Sequence, residues 1–207
     1  AMILASRGYD VAVYEKASTV GGRNARLQLG PYTFDTGPTF LMKLDLLEDV
    51  FALSGRKTSD YLDIRSIEPL YRLNFADGRD FFPTRNREQM IEQIERMFPG
   101  DGASYERYLA YEARKFEKIA PCLRVPYDSL TDYLRPRFLK AMPFLDAQYS
   151  LHAHLGRFFK HEELKLAFTF QAKYLGMSPW VCPATFSIIS YMEHSGGIHH
   201  PIGGLNE

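Results

Sequence analysis

The chain has 207 residues, 45 % of them apolar and 24 % charged, with 25 Lys+Arg against 25 Asp+Glu. A formal charge of zero argues against the basic footprint by which proteins hold nucleic acid, and no apolar run approaches the roughly 18 residues that cross a bilayer. Two cysteines, Cys122 and Cys182, make neither a disulfide framework nor a zinc knuckle, so a reducing, cytoplasmic compartment is the expectation.

Residues 1–7 are helix formers with no cap ahead of them, and Gly8 stands where such a helix would stop. Asp10-Val-Ala-Val-Tyr-Glu15 then reads as a short parallel-type strand closed by an acid. In a dinucleotide-binding fold such an acid lies about 20 residues after a glycine-rich turn, where it accepts hydrogen bonds from the ribose hydroxyls. That turn would fall before Ala1, and 201–207 reads as a glycine turn into an element that does not follow. Both ends therefore read as those of a piece of a longer protein.

Next comes Val20-Gly21-Gly22-Arg23. Paired glycines let backbone N–H groups approach a phosphate, and Arg23 adds a fixed charge and a planar fork. Leu27, Leu29, Tyr32 and Phe34 alternate across Gly30-Pro31 as a half-buried hairpin. It delivers the chain to Asp35-Thr36-Gly37-Pro38-Thr39. Each piece also has a plain reading: a solvated strand end, a turn, a loop with Asp35 as local cap. Their ordered combination is far less expected by chance than any member.

Asp45-Leu-Leu-Glu48 predicts a capping box opening a helix that runs to Leu53 and stops at Gly55. Asp77-Gly78 predicts a hairpin turn, and Met90, Ile91, Ile94, Met97 and Phe98 recur at helical spacing. Seven basic and seven acidic side chains over residues 85–118 predict a solvated helical face. A helix from about Ser104 is expected to end before Pro121. From Tyr133 to Trp180 stand ten aromatics, with seven Lys/Arg against three Asp/Glu. Phe158, Phe159, Phe168, Phe170 and Tyr174 read as the core of two packed helices, or as a surface that accepts an apolar chain from a membrane. His152, His154, His161, His199 and His200 lack the spacing of a ligand set, and no metal site is expected. If Thr131-Asp132 opens a helix, Asp132 and Arg135 share a face one turn apart. They are then either a helix-end ion pair or an acid/base group tuned by a cation.

Tyr14-Glu-Lys-Ala-Ser-Thr-Val-Gly-Gly-Arg23 with Phe34-Asp-Thr-Gly-Pro-Thr39 closely resembles the bacterial phytoene-type carotenoid desaturases, FAD-dependent flavoproteins of the amine oxidase-like group. The resemblance continues in Tyr71-Arg-Leu-Asn-Phe-Ala-Asp-Gly-Arg79, in residues 125–135 and 164–170, and in Gly196-Gly-Ile-His-His-Pro-Ile-Gly-Gly204. It implies an α/β fold in which a partial Rossmann-like FAD-binding domain (1–60) carries an inserted α+β substrate domain (61–195), with 196–207 returning towards the first. It implies FAD, held by Glu15 at the ribose and by Gly21, Gly22 and Arg23 at the diphosphate, with Asp35, Thr36, Gly37, Pro38 and Thr39 beside the flavin. It implies Asp132 and Arg135 at the reaction end of a tunnel for an apolar polyene such as phytoene or diapophytoene. Peripheral membrane contact and a quinone or oxygen as final electron acceptor belong to the same picture. Related carotenoid isomerases and oxidases, retinol-saturase-like flavoproteins and a truncated, non-catalytic chain are the alternatives.

Overall fold

The computed structural model describes residues 1–207. They form two compact units, Ala1–Glu68 with Gly196–Glu207, and Pro69–Ser195. The sheets are three two-stranded antiparallel ribbons, and no parallel sheet is present.

The first unit holds helix α1 (Met2–Ser6), strands β1 (Arg26–Leu29) and β2 (Tyr32–Asp35), helix α2 (Leu44–Leu53), and strands β3 (Ile64–Ile67) and β6 (Ile198–Pro201). The strand expected over residues 10–15 does not form, and Val13 and Tyr14 are exposed. A strand exists only when a neighbour takes up its N–H and C=O groups, and no strand pairs with this segment. The β1–β2 hairpin forms with Leu27 opposite Phe34 and Leu29 opposite Tyr32. Those four side chains share one face, but they are exposed rather than half-buried. Helix α2 ends at Leu53 with Gly55 at φ +72°, as expected. Its N-cap is Lys43, and Asp45 pairs with the Lys43 ammonium at 2.8 Å, so the expected capping box is absent. β3 and β6 pair with Ile64 opposite Pro201 and Ile67 opposite Ile198. Ile198 is the single large aliphatic buried in this unit.

The second unit carries the core. The hairpin of β4 (Leu73–Asn74) and β5 (Asp80–Phe81) turns at Asp77-Gly78, where Gly78 has φ +85°. Helix α3 (Arg87–Met97) starts at Asn86, whose side chain accepts the Gln89 amide at 3.1 Å, and buries Met90 and Ile94. Helix α4 (Gly102–Leu123) runs through Pro121 instead of stopping before it. The proline sits in the last turn, where its missing N–H removes one bond from a short remainder of helix. The region 136–196 is built from α5 (Pro136–Ala141), α6 (Leu151–Leu155), α7 (Glu162–Ala167) and α8 (Ser187–Gly196), joined by 3₁₀ turns. These short elements replace the two packed helices expected. Phe159 and Phe168 stack at 5.0 Å and Tyr108 meets both, forming an aromatic centre beside Met90 and Ile94. Phe158 packs against that core from a partly buried position, while Tyr174 is exposed.

The charges of 85–118 are not all solvated, which corrects the sequence expectation. Asp101, Glu112 and Lys115 are buried. The Lys115 ammonium lies 3.0 Å from Asp146 and 3.5 Å from Glu112, and donates to the Ala184 carbonyl and the Ser187 hydroxyl at 2.9 Å each. His154 Nε2 lies 2.7 Å from Glu112, and Tyr111 donates to Asp146 at 3.0 Å. A buried carboxylate is tolerated only with a partner, so one lysine ties α4 to two later segments, at Asp146 and at Ala184–Ser187. Lys115→Met, similar in length but uncharged, should destabilise the unit by about 3–5 kcal/mol in urea unfolding, because two buried carboxylates lose their cation. A loss under about 1 kcal/mol would show that the network is not holding these segments.

Candidate functional site

In the first unit the structure gathers most of the sequence-predicted residues into one backbone knot. Gly21 (φ +117°) and Gly22 (φ +54°) open the 3₁₀ turn Gly22–Asn24. A β-carbon on Gly37 would lie 2.1 Å from the Arg23 carbonyl oxygen, so only glycine allows this approach. Thr36 closes the contact, its hydroxyl donating to the Ala25 carbonyl at 2.7 Å. The Asp35 carboxylate accepts the Leu205 amide at 3.0 Å, and a β-carbon on Gly204 would lie 2.7 Å from it. Asn206 donates to the Val20 carbonyl at 3.0 Å. The Thr39 carbonyl accepts from His200 Nδ1 at 2.7 Å, while Pro38 and Arg23 are exposed.

Gly204, Leu205 and Asn206 were missed as members of this site. Their signal was the Gly203-Gly204 pair, which the sequence shows only as a turn. Glu15 lies outside the knot: it is exposed, and its carboxylate turns back to accept the Ala17 amide at 2.8 Å. Around Gly22, by contrast, a β-carbon would meet nothing within 4 Å. An open backbone with left-handed glycines and an adjacent guanidinium is what a diphosphate requires, and these residues fit one.

Asp132 and Arg135 meet as an ion pair across the 3₁₀ turn Leu130–Leu134. The turn is a capping box: Asp132 accepts the Ser129 amide at 2.9 Å, the Ser129 hydroxyl at 3.0 Å and the Asp128 amide at 3.0 Å. The Ser129 amide and hydroxyl, then the Arg135 charge, hold its carboxyl below the usual carboxylate range. So committed, it is a poor proton acceptor, and its geometry is that of a cap.

Two groups that sequence reasoning did not single out have stronger perturbations. Glu193 on α8 is buried, and that burial pushes its carboxyl up to about 7, against hydrogen bonds from Gln171 at 2.6 Å and Tyr174 at 3.2 Å. His194 beside it is held neutral, pushed down to about 3 by burial. Its ring nitrogens face the Tyr71 hydroxyl at 3.1 Å and the Tyr105 hydroxyl at 3.2 Å, and it stacks on Phe168 at 4.9 Å. The residues that build this cluster come from separate stretches, Tyr71 standing 123 and Tyr105 89 positions before His194, beyond the reach of any local motif.

The flavin containing amine oxidoreductase family profile matches residues 1–207. The chain is 42 % identical over 205 residues to a 4,4'-diapophytoene desaturase (4,4'-diapolycopene-forming) of Methylomonas sp, covering 99 % of the chain and 40 % of that protein. It is 38 % identical over 206 residues to a zeta-carotene-forming phytoene desaturase of Myxococcus xanthus, covering 98 % and 39 %. It is 30 % identical over 206 residues to a 4,4'-diapolycopen-4-al dehydrogenase of Metabacillus indicus, covering 99 % and 42 %. The chain thus spans about two-fifths of the length of the curated relatives it matches.

The Glu193–His194 pair sets a pH signature. Glu193 is protonated in both states below about pH 4.5; above it the unfolded chain loses its proton first, and stability falls until about pH 7. His194 acts oppositely, since the unfolded chain gains a proton below about pH 6.5 and the folded one does not until about 3. Each slope is about 1.4 kcal/mol per pH unit, so the two cancel between about pH 4.5 and 6.5. Glu193→Gln leaves the histidine alone and should become more stable as pH rises through that window. Urea midpoints at pH 5 and pH 6.5 test this; parallel profiles for the two chains would contradict it.

Proposed function

The chain belongs to the flavin containing amine oxidoreductase family, and on that premise we propose that its full-length protein is an FAD-dependent desaturase of a long apolar polyene, phytoene or diapophytoene. The observation that carries the reading is the knot in which Gly37 lies against the Arg23 carbonyl beside the open backbone of Gly22. Residues 1–60 and 196–207 then belong to a Rossmann-like FAD-binding domain and 61–195 to an inserted α+β substrate domain, with the stretch up to Glu68 kept in the first unit by the pairing of β3 with β6. A hydrocarbon substrate of this kind partitions into bilayers, so the enzyme would work in the cytoplasm at a membrane surface.

Removing two hydrogens from adjacent carbons needs a hydride acceptor, which FAD supplies when bound and no side chain can. The chain's own residues bind and position. Gly22 offers bare backbone to the diphosphate, Gly21 sets the turn against Asn206, and Arg23 offers its guanidinium. Glu15 is exposed and able to accept ribose hydroxyls, and residues 36–39 would run beside the flavin, Gly37 giving the close approach. Asp132 enters as the group that orients Arg135 through their ion pair. A second reading, oxidation of an acyclic carotenoid's end, is favoured by the likeness to the diapolycopen-4-al dehydrogenase.

Expression of the complete gene in cells that make phytoene or 4,4'-diapophytoene tests the reading. Coloured, more conjugated products are expected, and a flavin-loaded protein that leaves both substrates colourless would contradict it. Gly37→Ala should weaken flavin retention about tenfold or more, equivalent to about 1.4 kcal/mol, read as flavin absorbance after dialysis. Undiminished retention would remove the knot from the flavin site.

A further inference from the structure

In the first unit β6 carries two adjacent histidines, His199 and His200, and has a partner on either side. On one side is β3, with Ser66 opposite His199 and Arg65 opposite His200. On the other is Leu41, whose amide donates to the His199 carbonyl at 2.7 Å and whose carbonyl accepts the His199 amide at 2.8 Å. Residues 36–40, which lead from β2 to Leu41, belong to no helix or strand. Thr36 is tied at the start of this loop to the Ala25 carbonyl, by its amide at 3.3 Å and its hydroxyl at 2.7 Å. Pro38 has no N–H to contribute. Farther along, the Thr39 carbonyl accepts from His200 Nδ1 at 2.7 Å. Arg65 is engaged with Asp63 at 2.8 Å, which leaves the imidazole to Thr39.

A carbonyl oxygen only accepts, so Nδ1 of His200 carries the hydrogen and the contact fixes the tautomer of the ring. The histidine therefore acts as a side-chain donor that holds a loop through its backbone, 161 positions away in sequence. That loop includes Gly37, whose approach to the Arg23 carbonyl leaves no space for a β-carbon. A loop already held before its ligand arrives gives up less freedom on binding, so a bond the protein makes to itself appears as affinity for the ligand. We propose that His200 is a positioning residue of the flavin site, its Nδ1–H fixing the Thr39 carbonyl and with it the backbone of residues 36–39. The proposal rests on the reading that places those residues beside the flavin.

The test compares His200→Asn, His200→Gln and His200→Ala in the full-length protein. The side-chain nitrogen of Asn stands as many bonds from the backbone as Nδ1 of histidine, whereas that of Gln stands one bond farther, where Nε2 lies. Asn therefore keeps a donor for the Thr39 carbonyl, and Gln and Ala do not. FAD retention is read as flavin absorbance after dialysis, and the shape of the visible flavin band reports the surroundings of the ring. His200→Gln and His200→Ala should hold FAD about fivefold less tightly, the worth of one hydrogen bond, with an altered band. His200→Asn should stay close to the parent protein in both. Parent-like retention by His200→Gln and His200→Ala would overturn the proposal, as would an Asn variant that loses flavin as readily as the Gln variant. Urea midpoints of the flavin-free proteins supply a further check: a midpoint that falls in step with retention would make His200 a prop of the fold and overturn the positioning role. A protein whose flavin responds to these substitutions as expected but which makes no pigment contradicts the desaturase reading alone. One that makes pigment and whose flavin ignores His200 contradicts this proposal alone.

Discussion

At Gly37 the chain passes so close to the Arg23 carbonyl that a β-carbon would stand 2.1 Å from the oxygen. That approach sets the geometry of the first unit, because it fixes the Gly21–Gly22 turn against the segment leaving β2. The Asp35 carboxylate then catches the Leu205 amide, and Asn206 reaches the Val20 carbonyl. Three stretches distant in sequence are joined through backbone and short polar side chains rather than through a packed apolar core. A backbone cradle of this kind leaves its amides and its arginine accessible, as a charged ligand requires.

The second unit is held differently. Its aromatic centre excludes water, and the cost of that dryness is met by partnering every buried charge that ties segments together. Lys115 does this for Glu112 and Asp146; Gln171 and Tyr174 do it for Glu193.

Local chemistry was legible where it depends on neighbours in sequence. The Gly30-Pro31 and Asp77-Gly78 hairpins, the stop at Gly55 and the buried stripe of Met90 and Ile94 all follow from turn residues or helical period. The motif order marked Gly21–Arg23 and Thr36-Gly37 as one set, but neither their direct contact nor the 2.1 Å approach that demands glycine was legible in it. Strand 10–15 failed because pairing is a property of the neighbour and not of the segment. Glu112 and Lys115 were read as surface because an i,i+3 ion pair looks the same in sequence whether wet or dry. Glu193 and His194 were invisible for the same reason: what perturbs them is enclosure by Tyr71, Tyr105 and Phe168 from far along the chain.

The most direct measurement is a crystal structure of the full-length protein with FAD bound. The account predicts diphosphate oxygens within hydrogen-bonding distance of the backbone at Gly22 and Arg23, with Gly37 against the same turn. A dinucleotide seated elsewhere, with the Gly21–Arg23 backbone facing only solvent, would contradict it.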